Sequence, residues 1–189
     1  MLASYDFTSS TMRRISFSSM RQRAGAQAGA GLLVLSLLAS ACASSKNDPT
    51  PDSLYVRMGG KAGIEGITDQ LVANIGAEIG TSNSLMRRSH QPMLDAVNGV
   101  NGAAPTDPTR LTRLRNNVVD QFTSLTGGPL PYRGKPMLLA HTNMHVTDAE
   151  YAAWRGLLDN SLVKNNIPAK EKAEFTALID AMRADVVNH

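Results

Sequence analysis

The chain contains little of several residue types that define common classes of protein. Its 189 residues include one cysteine, four histidines, one tryptophan and four each of tyrosine and phenylalanine. A single cysteine, Cys42, excludes an intrachain disulfide, a covalent CxxCH attachment motif and a cysteine-based metal cluster. Any prosthetic group would therefore be held without thioether links.

Long apolar runs are also scarce, and the one present lies near the N-terminus. Residues 24–41 pass from small residues into an apolar core at 32–38, and four arginines precede them. A basic region, a short apolar core and small residues before a cut predict a secretory signal over residues 1–41. The apolar core is too short to span a bilayer. Met20 begins a more ordinary signal, so residues 1–19 are a candidate for a wrongly assigned start.

Residues 38–42, LASAC, resemble the lipobox of bacterial lipoproteins, with Ala39 where leucine is more usual. Cys42 stands where diacylglycerol would be attached. The resemblance implies a lipid anchor on the periplasmic side of the cell envelope, and Ala43 is compatible with sorting to the outer membrane. A plain signal peptide with an incidental cysteine is the alternative. Residues 42–51 are polar and contain proline, which predicts a tether.

The remainder of the chain has no excess of either basic or acidic residues. Of its 19 basic and 16 acidic residues, four arginines and one aspartate lie in residues 1–41, which leaves 15 of each. No basic patch therefore indicates a nucleic-acid partner. Residues 52–189 are enough for one compact domain with its own core.

Apolar residues in this domain recur at helical spacing, and no convincing strand pattern appears. The spacing predicts a short turn at 53–58 and helices over 61–79, around 111–125, over 148–164 and from 175 to 186. Residues 87–109 are punctuated by glycine, asparagine and proline. We expect a long connection there, with at most one weak turn near 92–97. The predicted fold class is all-α.

Residues 131–151, PYRGKPMLLAHTNMHVTDAEY, contain the most informative pattern. His141 ends a short turn that starts at a proline and carries Met137 and Leu138. A Thr-x-x-Glu capping box, Thr147 to Glu150, then opens a helix. A neutral imidazole on a short helix beside apolar side chains suits the axial ligand of a haem iron.

The order of these elements resembles the truncated haemoglobins, especially their first group, over residues 52–187. The matching segments are SLYVRMGG at 53–60, IEGITD at 64–69, TSLTGGPLPYRGKPM at 123–137, AH at 140–141 and VTDAEYAAW at 146–154. The resemblance implies a two-over-two helical sandwich around a b-type haem.

The resemblance also implies which residues contact the haem. His141 is the implied proximal iron ligand. The other implied contacts are Phe122, Met137 and Val146 at apolar lining positions, Tyr132 near the propionates, and Leu114 and Val118 on the distal face. Ordinary core packing is the alternative for all of these apolar residues, and for Phe122 and Val146 it is nearly as well supported.

The distal side departs from the family pattern. A tyrosine that commonly hydrogen-bonds the bound ligand is replaced by Val72, and a frequent glutamine is replaced by Val118. The distal pocket is therefore predicted to be apolar, unless residues 87–109 fold over it. A missing donor to a polarised ligand costs roughly 1.5–3 kcal/mol, or about one to two decades of affinity.

Polar residues elsewhere are candidates for supplying the missing hydrogen-bond donor or a further iron ligand on the distal side. Asn117 neighbours Val118, and His90 could act as a sixth ligand, although an exposed loop histidine is the better-supported interpretation. The candidates for pairing with haem propionates are Arg87, Arg88, Arg133 and Lys135.

Three functions remain open on these residues. The first is reversible binding of O2, NO or CO at haem iron by a membrane-tethered globin. The second is a haem redox enzyme, a nitric oxide dioxygenase or peroxidase, served by an unidentified reductase. The third is a globin-fold module that has lost haem. No catalytic residue is assigned, and the His141–His145 pair lacks the glutamate and third ligand of a zinc hydrolase.

Overall fold

A computed structural model describes residues 48–189, so the predicted signal, lipobox and Cys42 lie outside the described residues. Helices account for all regular structure in 48–189, apart from one isolated bridge between Val146 and Val187. The helices are α1 (Leu54–Arg57), α2 (Gly60–Ile79), α3 (Arg87–Asn98), α4 (Arg110–Leu125), α5 (Met137–His141), α6 (Asp148–Lys164), α7 (Ala169–Asp180) and a 3₁₀ turn (Arg183–Asp185). The all-α prediction is confirmed. None of these helices is long and apolar enough to cross a membrane.

The turn from α1 into α2 explains why the first long helix tolerates its glycines. Gly59 has φ +91°, a left-handed conformation that strains other residues. A Cβ on Gly63 would lie 1.9 Å from the carbonyl oxygen of Met58, so only glycine lets α2 begin against the end of α1. The predicted helix over 61–79 is confirmed. Gly59 and Gly63 allow it to begin directly after α1.

The core lies where α2 and α4 pack against α6 and α7. The Phe122 ring of α4 meets the Phe175 ring of α7 edge to face, with centroids 5.0 Å apart and planes at 85°. Fully buried aliphatic side chains from α2 and α6 fill the space beside them: Ile64, Ile67, Leu158 and Leu162. This pairing of helices matches the predicted two-over-two arrangement.

Helix α3 is the main departure from the sequence prediction, because residues 87–98 are helical and the expected long connection is wrong. The helix packs against α2 and α4 and buries Met93. The carboxylate of Glu78 accepts hydrogen bonds from the backbone N–H groups of Leu85 at 2.7 Å and Met86 at 3.1 Å, just before the helix starts. Its N-terminus is thus stabilised by a residue from the end of α2, which no local capping pattern would reveal.

The last helices return the chain to the region after His141. Helix α6 starts at the predicted capping box, whose two reciprocal hydrogen bonds both form. Helix α7 ends at Asp180, earlier than predicted, and the 3₁₀ turn follows. The chain then lies beside residues 145–146. The Asn188 N–H donates to the Val146 carbonyl at 2.9 Å, and the His145 N–H donates to a His189 oxygen at 2.5 Å.

Candidate functional site

The last residue of α5 is His141, and its ring orientation is fixed by its own helix. Nδ1 lies 2.8 Å from the Met137 carbonyl oxygen, one turn earlier. A carbonyl oxygen can only accept, so Nδ1 carries a proton, and in the neutral tautomer with this proton Nε2 has the lone pair. No side chain or backbone group in residues 48–189 hydrogen-bonds Nε2. A neutral imidazole held through its other nitrogen is the form that ligates metals.

A cavity of about 320 Å³ lies at the start of α5. It is bounded by α4, by the loop into α5 and by the residues around the 3₁₀ turn. Its lining residues are Gln121, Ser124, Leu125, Tyr132, Pro136, Met137, Met182 and Asp185. Met137 and His141 are four residues apart and therefore share one face of α5. His141 itself is not among the residues that line the cavity, so the link between them is Met137, one turn earlier on α5. The volume is at the low end of the range of ligand sites.

Helix α4 contributes two different faces. Phe122 and Val119 are buried in the core. Leu114, Val118 and Gln121 are spaced by four and three residues, so they share a second face. Val118 is partly buried against the core, whereas Leu114 is 42% exposed. The face of α4 that carries the predicted distal residues is therefore less buried than the core face. Gln121, on the same face, lines the cavity.

The other predicted haem contacts are divided between cavity and core. Tyr132 lines the cavity, its hydroxyl donates to the Lys135 carbonyl at 3.1 Å, and burial raises its pKa. Val146 packs instead with Tyr151 and Val187 in a small separate apolar cluster. Phe122 packs on Phe175, as described above. The structure therefore places Phe122 and Val146 in core packing, the alternative that their apolar character left open.

Val72 occupies the middle of α2. Its side chain is half-buried, and it does not line the cavity. Asn117 on α4 is exposed. Neither residue places a polar group at the cavity, whereas the amide of Gln121 does.

His90 and two of the basic residues are located differently from expectation. His90 is half-buried on α3, where its Nδ1 donates to the Met86 carbonyl at 3.0 Å and desolvation lowers its pKa. The prediction of an exposed loop histidine is wrong, and His90 does not line the cavity. Arg87 donates to the Ile79 carbonyl at 2.7 Å. Arg88 pairs with the buried Glu150. Their prediction as propionate partners is therefore wrong, while Arg133 and Lys135 stay exposed in the loop that lines the cavity.

Six of the eight lining residues were not predicted from the sequence: Gln121, Ser124, Leu125, Pro136, Met182 and Asp185. The Gln121 amide N–H donates to the Met182 sulfur at 3.5 Å across the cavity wall. Gln121 could have been found, because it follows Val118 by three residues on one helical face. Met182 lies after α7 and is brought to the site by tertiary packing, for which the local sequence has no signal.

Comparisons with known proteins agree with this architecture. Residues 101–188 match the family model of bacterial-like globins. The truncated hemoglobin of Tetrahymena pyriformis in its Fe(III) form is similar with a TM-score of 0.56 and 17% identity, covering 72% of this chain and 99% of that one. Chlamydomonas reinhardtii THB1 is similar with a TM-score of 0.50 and 22% identity, covering 71% of this chain and 96% of that one. At these identities the structural likeness establishes the fold.

The helical sandwich and these matches define the fold of the truncated haemoglobins. Over residues 101–188 the chain matches the bacterial-like globin family. That match supports a haem-binding function. The residues present fit haem in donor chemistry, because His141 Nδ1 is held by the Met137 carbonyl while Nε2 has no protein partner in residues 48–189.

Proposed function

We propose that this globin binds haem b non-covalently, with Nε2 of His141 as the iron ligand, and reversibly binds O2, NO or CO. The hydrogen bond from His141 Nδ1 to the Met137 carbonyl carries the proposal. It selects the tautomer whose Nε2 can ligate iron, and it aligns the ring with the face of α5 that carries Met137. The absence of a CxxCH motif agrees with non-covalent binding.

The bound haem would supply the coordination site for the diatomic ligand. Among the protein residues, His141 presents one nitrogen to the iron. Met137, Leu125 and Met182 line the cavity with apolar atoms, beside the polar side chains of Gln121, Ser124, Tyr132 and Asp185. Leu114 and Val118 add apolar surface on the same face of α4 as Gln121. The predicted distal residues Val72, Leu114 and Val118 have no side-chain hydrogen-bond donor, which favours neutral diatomic ligands over strongly polarised ones.

The assignment of His141 is tested by reconstituting the chain without residues 1–41 with haem. Ferric, ferrous and CO-bound absorption spectra are then compared for the parent, His141→Ala and His145→Asn. His145 is a matched control because it lies four residues away with an exposed side chain. Asparagine also tolerates its positive φ of +49°.

We expect His141→Ala to lose the parent spectra and His145→Asn to keep them. Adding imidazole to His141→Gly should restore the parent Soret band. If His141→Ala keeps the Soret band and the CO complex, the ligand assignment is wrong. If the parent protein loses haem during mild dialysis, the third function, a globin-fold module without haem, replaces the proposal.

We propose further that Cys42 is lipidated and anchors the domain to a membrane on the periplasmic side, at the outer membrane. Five residues lie between Cys42 and Asp48, so the tether can reach about 20 Å at most. Residues 48–50 share a surface depression with residues 127–131. A lipid on Cys42 would therefore hold this side of the domain close to the bilayer.

The lipid anchor is tested by fractionating cells that express the full chain or Cys42→Ser. The parent should be found with membranes and carry acyl chains on its N-terminal peptide by mass spectrometry. Cys42→Ser should be released or remain unprocessed, without acyl chains. An unmodified N-terminal peptide in the parent would support the plain signal peptide instead.

Haem redox chemistry is a second candidate, and Gln121 is the observation that favours it. Its amide places one hydrogen-bond donor among the apolar side chains of the cavity. The test measures NO consumption in the presence of O2 and an added reductase, for the parent and Gln121→Leu. Multiple turnovers that fall in Gln121→Leu would favour an enzyme, whereas stoichiometric consumption in both proteins would favour simple binding.

A further inference from the structure

The short helix that carries His141 has little packing of its own beyond its contacts with the 3₁₀ turn. None of the five residues of α5 is buried, and Leu138 and Leu139 are 43% and 62% exposed. A helix of this length is also unstable by itself. The position of His141 therefore depends on the 3₁₀ turn and on the segments at either end of α5.

The segment after His141 is held by Arg88 from α3. The guanidinium of Arg88 donates to the Met144 carbonyl at 2.7 Å and to the His145 carbonyl at 2.9 Å. It also forms a fork on Glu150, with Nε to Oε1 at 2.8 Å and Nη2 to Oε2 at 2.5 Å. Four hydrogen bonds from one side chain thus join α3, residues 144–145 and the first turn of α6.

This segment needs external support, because part of its backbone is in an unfavourable conformation. Asn143 has φ +66°, which asparagine tolerates, whereas His145 has φ +49°, in the left-handed region that is uncommon for residues other than glycine and asparagine. Such conformations persist when surrounding contacts fix them. Arg88 contacts the carbonyls of the segment, and Val187 and its C-terminal neighbours pair with its other backbone groups.

We propose that Arg88 is a positioning residue for His141, acting through the hydrogen bonds that it donates to the carbonyls of Met144 and His145. The proposal rests on the assignment of His141 as the iron ligand. Arg88 lies on α3, which packs against α4, so its side chain ties the helix that lines the cavity to the segment that follows the ligand. Glu150 holds the guanidinium in place from the far side, where it is also part of the capping box of α6.

Arg87 supplies a matched control on the same helix. Its guanidinium also bonds backbone carbonyls, those of Ile79 and Thr81, but these lie at the end of α2. Arg87→Ala therefore removes a comparable set of hydrogen bonds without touching residues 142–147. Arg88→Lys keeps the positive charge but loses the planar fork, so it separates charge from geometry.

The first measurement is amide hydrogen exchange on the full chain without added haem. The Met144 and His145 amides are hydrogen-bonded and report directly on the segment. Arg88→Ala should exchange at these two amides about tenfold faster or more, with Arg88→Lys between it and the parent. Arg87→Ala should leave them within about twofold. Unchanged exchange in Arg88→Ala, or equal acceleration in Arg87→Ala, would overturn the proposal.

The second measurement uses the haem-loaded protein. The ferrous iron–imidazole stretching band in resonance Raman spectra should shift or broaden in Arg88→Ala and not in Arg87→Ala, because a loosened segment lets the imidazole move. A merely structural role for Arg88 would leave this band unchanged. If His141→Ala retains the parent spectra, the ligand assignment fails, yet the exchange result still decides whether Arg88 holds the segment. Should Arg88→Ala fail to fold, Arg88→Lys provides both readouts.

Discussion

Replacing Glu150 by glutamine removes one negative charge from a buried position while keeping nearly the same shape. Glu150 is 6% exposed and accepts hydrogen bonds from Arg88 and from the backbone N–H and hydroxyl of Thr147. The Arg88 hydrogen bonds, followed by those from Thr147, outweigh the cost of burial and lower the pKa of Glu150 from 4.5 to about 2. The carboxylate is therefore more favourable in the folded chain than in the unfolded one.

The size of the effect follows from this shift. A depression of this size corresponds to about 3 kcal/mol at neutral pH. The Arg88 side chain is about half exposed, so solvent screens part of the interaction, and we expect Glu150→Gln to lose about 2 kcal/mol. Because the folded pKa is lowered, this stability is fully present above pH 4.5. It declines as the pH falls from 4.5 towards 2.

The assay is urea unfolding followed by circular dichroism at pH 7, 5, 4 and 3, without added haem. The difference in unfolding free energy between parent and Glu150→Gln should be constant between pH 7 and 5 and shrink at pH 4 and 3. Other carboxylates with lowered pKa values contribute equally to both proteins and cancel. Asp69→Asn is the control, because its pair with Arg115 is exposed, and it should lose less than about 1 kcal/mol. A Glu150→Gln difference of the same size at pH 3 as at pH 7 would refute the electrostatic reasoning.

Two further pairs of substitutions test the packing of the fold. Phe122→Ala should lower the unfolding free energy by about 3–5 kcal/mol in thermal or urea melts, because Phe122 is 2% exposed and packs on another ring. Leu114→Ala should lower it by less than about 1 kcal/mol, because Leu114 is 42% exposed. Equal losses of unfolding free energy would mean that Leu114 is as deeply packed as Phe122 and would contradict this description of the core. Gly63→Ala should destabilise the protein by about 1–3 kcal/mol, because the added Cβ would clash with the Met58 carbonyl. Gly76→Ala should stabilise α2 by about 0.5–1 kcal/mol, because a Cβ at Gly76 meets open space. A stable Gly63→Ala protein would contradict the close approach of α1 and α2.

Much of this fold was predictable where the determining interactions are local. Helix α6 has the predicted bounds, because its capping box and its apolar spacing are contained in adjacent residues. Helix α2 was predicted to within one residue for the same reason. The His141 turn was also predictable, since a proline starts it and a separate cap follows it.

The errors occur where distant residues decide the structure. The sequence of α3 contains Pro92 and ends in Asn98-Gly99, which suggested a loop, but Glu78 stabilises its start and α4 covers its buried side. The surroundings of Val146 are likewise decided by distant residues, while its role in lining haem stays a prediction. Its packing with Val187 depends on how the end of the chain returns, which no spacing near Val146 encodes.

These errors bear on how the candidate site is built. Resemblance and local pattern identify His141, but a five-residue helix without a buried side chain cannot fix a ligand by itself. The contacts that hold the following segment come from α3 and from the end of the chain, the two regions that the sequence described least well. Arg88 looked like a surface cation available to a propionate, and only the tertiary structure assigns it to Glu150 and to the carbonyls of residues 144–145. The proposed ligand is thus recognisable from local sequence, whereas the residues that hold its segment in place are recognisable only once the helices are packed.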